Sequence, residues 1–297
     1  MTNATAGLNA LSNQTDAPPA PHTVRVGPAR ASYWLSGGLA LAALIAGVAT
    51  FIAKDSIAGP AVSVGTARGT ALVVAAVAVP VLLAAMWSTN RGSLRAIVIW
   101  LGAACYLLYN AIMFLFATPY NRFFLAYVAM FALALWAIGT VLVQTDVTGL
   151  ARNVTGRLPV HGIAIYAWTV ALLNALVWLR TIIPTLTAEH PGAFLLGSGF
   201  STHPVYIQDL AVWIPLIAVA AAWMWRGLPW GYLITATILT LWVLEALGIA
   251  VDQWFGSQAD SSTDFASATM SPAFLAWAII GLIPVGLALR PLRRGPR

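Results

Sequence analysis

The sequence predicts an all-α fold, a polytopic transmembrane helical bundle of eight spans. Three observations carry that prediction. Of 297 residues, 60% are hydrophobic and only 8% charged, against roughly 25% charged in soluble domains; the mean hydropathy is +0.83. The apolar residues gather into eight stretches, each about the 20 residues that a helix rising ~1.5 Å per residue needs to cross a ~30 Å hydrocarbon layer. None of these stretches alternates with period two, which argues against membrane strands.

Taken in order, residues 1–30 are rich in Ala, Asn, Thr and Pro and lack an apolar run preceded by basic residues. They read as a disordered cytoplasmic tail rather than a signal peptide. The transmembrane domain covers 31–290, with expected spans Tyr33–Ala53, Thr70–Ser88, Ala96–Ala117, Phe123–Val143, Ile163–Ile183, Val205–Trp225, Leu228–Val251 and Ala273–Leu289. Ser271-Pro272 has the form of an N-cap followed by a first-turn proline, and His203-Pro204 and Thr118-Pro119 break the chain before a span or at a turn. Pro80, Pro184, Pro215 and Pro284 lie in or at the edges of spans. Pro215, shortly after Asp209, would free a carbonyl and bend its helix, as a hinge or as a fixed kink. Residues 291–297 form a basic cytoplasmic tail. Trp34, Trp87, Trp225, Trp230 and Trp254 fall at expected boundaries as an interfacial belt, whereas Trp100, Trp136 and Trp213 are expected to pack inside.

Orientation follows from the basic residues. With the N-terminus inside, the inner segments hold Arg25, Arg30, Arg91, Arg95, Arg152, Arg157, Arg226, Arg290, Arg293, Arg294 and Arg297, and the outer side only Lys54, Arg68, Arg122 and Arg180. Eleven against four accounts for all 15 and predicts N-in, C-in. The net charge of +6 therefore marks sidedness rather than nucleic-acid binding. A single cysteine, Cys105, excludes an intrachain disulfide and a cysteine-based metal site. The only lysine, Lys54, follows the first span, so no lysine lies mid-membrane for a Schiff base.

In that orientation the polar residues of spans three to seven collect in the outer half. Glu245 is the sharpest of them. It lies 13 residues past Tyr232, roughly 20 Å into an apolar helix, where an ionised carboxylate is costly unless protonated, paired or facing water. Glu245, Gly248 and Asp252 share one helix face. The expected result is an outward-facing polar cleft lined by Glu245, Asp209, Asn110, Asn174, Tyr206 and Asp252, with Arg180 and Arg122 as counter-charges. The same residues also fit a plainer arrangement, with an interfacial Arg180–Asp209 ion pair and Glu245 as a protonated, hydrogen-bonded core residue. His190 and His203 are weak candidates for metal ligands, because they are 13 residues apart with no HxxxH or HExxH pattern. No cofactor is expected. No phosphate loop, GxSxG elbow or paired acid–base motif occurs, so no catalytic residues are assigned.

Three passages carry a resemblance: Tyr120-Asn121-Arg122-Phe123-Phe124, His203-Pro204-Val205-Tyr206-Ile207-Gln208-Asp209, and Arg226-Gly227-Leu228-Pro229-Trp230-Gly231-Tyr232. Together they resemble a group of uncharacterised bacterial, largely actinobacterial, integral membrane proteins. The resemblance implies a bacterial plasma membrane and brings no activity with it. Three functions are compatible with the residues. The first is a small-solute transporter or sensor, with proton coupling through Glu245. The second is a non-catalytic assembly subunit that docks a membrane partner or a second copy through the small-residue faces of spans one and two (Gly37, Gly38, Gly47; Ala75, Ala76, Ala84, Ala85). The third is an intramembrane enzyme, metal-dependent or not. The lipid bilayer is the one partner common to all three.

Overall fold

Every apolar stretch forms a helix, because a chain in hydrocarbon must satisfy its backbone N–H and C=O groups internally. The computed structural model describes residues 29–53, 57–154, 156–190, 195, 197–262 and 265–292. Most of both predicted tails, together with Lys54 and Asp264, lies outside them. The spanning helices are α1 (Arg30–Ile52), α2 (Ala61–Asn90), α3 (Leu94–Phe116), α4 (Phe124–Gln144), α6 (Val160–Thr187), α7 (Pro204–Trp225), α8 (Pro229–Ala259) and α9 (Met270–Leu289). Between α4 and α6 lies the short α5 (Val147–Val154). No strand occurs among the described residues. The chain is a multi-pass, membrane-embedded helical bundle.

The eight expected spans are present, with two long corrections at their ends. α2 starts at Ala61 rather than Thr70, and α8 continues to Ala259 rather than ending at Val251. Both extensions contain Ser, Thr, Asp or Gln, which blurs them in hydropathy, yet they are helical because they pack on each other. Gly65 and Gly69 make that crossing close. A Cβ at Gly69 would lie 2.5 Å from Asp252 Cα, and one at Gly65 would lie 2.6 Å from the Phe255 carbonyl oxygen. This small-xxx-small spacing lets two membrane helices meet backbone to backbone.

α8 is the central post, packed by α2, α3, α7 and α9. Within their most apolar windows α3 is 78% buried and α8 61%, whereas α4, α6 and α9 are each 28% buried. The latter three therefore form much of the lipid-facing wall. Trp136, expected to pack inside, belongs to that wall: it is 67% exposed on α4. Trp100 and Trp213 are buried, and their indole N–H groups donate to Ser36 Oγ (2.8 Å) and Gln208 Oε1 (3.2 Å). Gly47 of α1 meets Ala71 and Ala75 of α2, so this part of the small-residue face is used within the bundle.

Polar links fix the helix ends. Arg95, in the first turn of α3, donates through Nε to the Leu292 carbonyl (2.6 Å) and through Nη2 to the Arg290 carbonyl (2.9 Å), satisfying backbone acceptors just past α9. The α5 helix is capped by Asp146, whose Oδ1 accepts from the Gly149 N–H at 2.8 Å. Its buried Val147, Leu150, Ala151 and Val154 fall on one face. Ser271 is not a cap: α9 starts at Met270, and Ser271 Oγ donates to the Ala250 carbonyl of α8 at 2.6 Å.

The prolines explain two local distortions. Pro80 follows a π-helical turn at Val74–Ala78, and Pro215 follows one at Asp209–Trp213. A proline has no N–H and crowds the carbonyl four residues back, and the wider turn relieves that contact. Pro184 sits where α6 tightens into a 3-10 turn at Ile183–Thr187, and Pro284 remains within α9.

Replacing Gly69 with Val tests the α2–α8 crossing. Overpacking of this kind costs about 1–3 kcal/mol, so melting in detergent should fall by several degrees. Gly37→Ala, where nothing lies within 4 Å of the added Cβ, should leave it unchanged. Equal melting of both variants would contradict the crossing.

Candidate functional site

A cleft of about 520 Å³ opens at the end of the bundle where α3, α6 and α8 finish and α2, α7 and α9 begin. α8 supplies Glu245, Ile249, Asp252 and Gln253 to its wall, since i, i+4, i+7 and i+8 lie on one helix face. α3 supplies Asn110, Met113 and Phe114; α6 supplies Trp178 and Thr181; α7 supplies Val205 and Tyr206. α2 contributes Thr66 and Thr70, which reach the cleft because Gly65 and Gly69 bring their helix close. The far side is closed by Phe200, Phe265, Ser267, Thr269 and Phe274.

Of the residues expected in a cleft, Glu245, Asn110, Tyr206 and Asp252 line this one. Asn110 is buried, and its Nδ2 donates to Glu245 Oε2 at 3.3 Å while also reaching the Tyr106 carbonyl at 3.0 Å. Asp252 Oδ1 accepts from Gln253 Nε2 at 3.3 Å. Gln253 Oε1 in turn accepts from the Ser267 N–H at 3.0 Å, which folds the segment before α9 over the end of α8.

Asp209 lies behind the wall rather than on it, 4% exposed at the start of the π-helical turn of α7. Trp178 Nε1 donates to its Oδ2 at 2.9 Å, and the Tyr109 hydroxyl and the Asn174 amide bond to the same carboxyl group. Arg180 and Arg122 do not serve as counter-charges. Both are exposed and outside the cleft wall, and among the described residues no ion pair joins Arg180 to Asp209. The reason is angular: Arg180 is two residues past Trp178, about 200° round α6, so one of them can face Asp209 but not both. Arg122 instead lies over the Phe123 ring, 5.0 Å from its centroid.

Aromatic side chains make up much of the remaining wall. The His203 ring stacks on Tyr206 with centroids 3.9 Å apart and planes 9° from parallel, and Tyr206 continues onto Trp178 at 4.6 Å. His203 Nδ1 is buried with no partner among the described residues. Burial pushes the imidazole down to about 4, so it is neutral at physiological pH. His190 is exposed at the end of α6. Among the described residues no three His, Cys, Asp or Glu side chains group as a metal centre would require.

Sequence reasoning did not find Thr66, Thr70 or the wall at 265–274, nor the buried Tyr109. The Gly65–Gly69 spacing was the signal available for the first pair. Tyr109 had none, because a tyrosine in an apolar run reads as packing until the helix opposite is known.

The His203 environment has a consequence for stability. Between about pH 6.5 and 4 the unfolded chain binds a proton at His203 that the folded chain does not, so stability falls as the pH drops through that window. In His203→Phe that part of the loss should disappear, giving a flatter plot of melting temperature against pH. An unchanged slope would show that His203 is not held neutral.

Comparison with protein-family models, with curated proteins and with solved structures finds no match to the chain in any of the three.

Proposed function

We propose that the protein binds a small solute in this cleft from the outer side of a bacterial plasma membrane and transports or senses it, with Glu245 exchanging a proton in the process. The observation that carries this reading is the position of Glu245. It lies well inside a 31-residue apolar helix, yet its carboxyl group faces a cleft of about 520 Å³ and takes a hydrogen bond from Asn110. Ionisable groups at that depth mark solute or proton pathways more often than packing.

The orientation rests on the eleven-to-four distribution of basic residues and on an even number of spans. It places the ends of α3, α6 and α8, and hence the cleft mouth, on the outer side. A charge moving between the cleft and the inner face would then feel the membrane potential, about 2.3 kcal/mol per charge per 100 mV. The π-helical turn at Asp209–Trp213 with Pro215 behind it gives α7 a place to change its bend.

Two measurements test this reading. In a Cys105→Ser background, Ser267→Cys should react with a membrane-impermeant maleimide added outside intact cells, and Arg152→Cys only after lysis; the reverse pattern would invert the orientation. In proteoliposomes carrying an internal pH dye, a panel of small amines, amino acids and sugars added outside should include one that moves protons. That movement should fall tenfold or more in Glu245→Gln. Identical traces for the variant between about pH 5 and 8 would rule out proton exchange at this residue.

A further inference from the structure

We infer that the solute is a small organic cation, an amine or quaternary ammonium with an apolar body, and that it competes with protons for Glu245 and Asp252. This deepens the reading of the cleft as a solute site and rests on it.

Charge is the first ground. The chain as a whole carries +6, yet among the described residues the cleft wall holds two carboxyl groups and no Lys or Arg. Glu245 is within electrostatic reach of Asp252 and of Asp209 behind the wall. An anionic solute would be repelled by the ionised pair, and a neutral one would gain hydrogen bonds from it but no charge pairing. The lining is the second ground. Phe114, Trp178, Phe200, Tyr206, Phe265 and Phe274 all face the cleft, and aromatic faces attract cations. A bare metal ion would instead need a shell of six or more oxygens, and 520 Å³ is the size of a site for an organic molecule.

Competition with protons follows from the same geometry. A protonated carboxyl group cannot balance a cation, so affinity falls as the pH falls. Among the described residues no fixed positive charge on the wall blunts this effect. Tyr206 of α7 and His203 just before it share the wall with the pair, Tyr106 and Tyr109 of α3 and Asp209 of α7 lie behind it, and α6 and α9 bring no ionisable group to the wall. Arg68 of α2 is turned away, its Nε donating to the Phe51 carbonyl of α1 at 3.0 Å. One cation bound for each proton released keeps the cleft's charge constant.

Calorimetry on the purified full-length protein in detergent, with benzylammonium, benzyl alcohol and benzoate as probes, tests the inference: the three share one ring and carry positive, zero and negative charge. Benzylammonium should bind at least tenfold more tightly than either of the others, should release a proton, and should lose tenfold or more in affinity from about pH 8 to 6. Glu245→Gln and Asp252→Asn should each weaken it tenfold or more, Glu245→Asp less. Phe265→Leu should weaken it several-fold with an unchanged melting temperature. If benzyl alcohol or benzoate binds as tightly and depends on Glu245, the cation assignment is overturned and the solute site stands. If none of the three binds the folded protein, the cation assignment is also overturned; the solute site falls with it only if Ser267→Cys is unreachable from outside.

Discussion

A carboxyl group in a hydrocarbon layer has to face something other than lipid, and the arrangement of this bundle follows from that constraint at Glu245. Its helix, α8, cannot stand at the periphery, and it does not: four other spanning helices pack around it. Asn110 on the most enclosed neighbour, α3, donates a hydrogen bond to the carboxyl group. The remaining side of Glu245 is occupied by a cleft rather than by side chains. A void of this size weakens the packing of a membrane bundle, so it has to be held open by stiff walls.

Those walls are stiff for identifiable reasons. Gly65 and Gly69 bring α2 against the α8 backbone beside Asp252, which locks one side and delivers Thr66 and Thr70 to the cleft. On the other side Asp209 gathers Trp178, Tyr109 and Asn174, tying α7, α6 and α3 together behind the wall. This three-way junction replaces the single ion pair expected from Arg180, and it keeps the guanidinium out of the cleft. Among the described residues the lining holds no Lys or Arg, and for Arg180 that is a structural consequence of where Trp178 points. The wall at 265–274 is held by the Gln253–Ser267 and Ser271–Ala250 bonds, both anchored on α8.

Most of the architecture could be read from the chain because one term dominates it. Apolar stretches of about 20 residues have no alternative to a helix in a bilayer. The gathering of Glu245, Asn110, Tyr206 and Asp252 was legible too, once orientation put their halves of the spans on one side. Hydropathy failed where helix–helix contact, not lipid, stabilises the helix, as at Ala61–Gly69 and Asp252–Ala259. It also failed for side-chain direction. Arg180 and Trp178 are near neighbours in sequence but face different surroundings, and Trp136 could be placed on the lipid side only once the neighbours of α4 were known. The segment at 265–274 became part of the site through tertiary contacts that no local pattern announces.

The central claim is that Glu245 meets aqueous solution from the outer side although it lies deep in a membrane helix. Its most direct measurement is the rate at which a small cationic methanethiosulfonate, added outside intact cells, modifies Glu245→Cys in a Cys105→Ser background, with the lipid-facing Trp136→Cys as reference. Rapid modification of Glu245→Cys, slowed by excess benzylammonium, is the expected result, with little or none at Trp136→Cys. A Glu245→Cys thiol as inert as the lipid-facing one would contradict the claim.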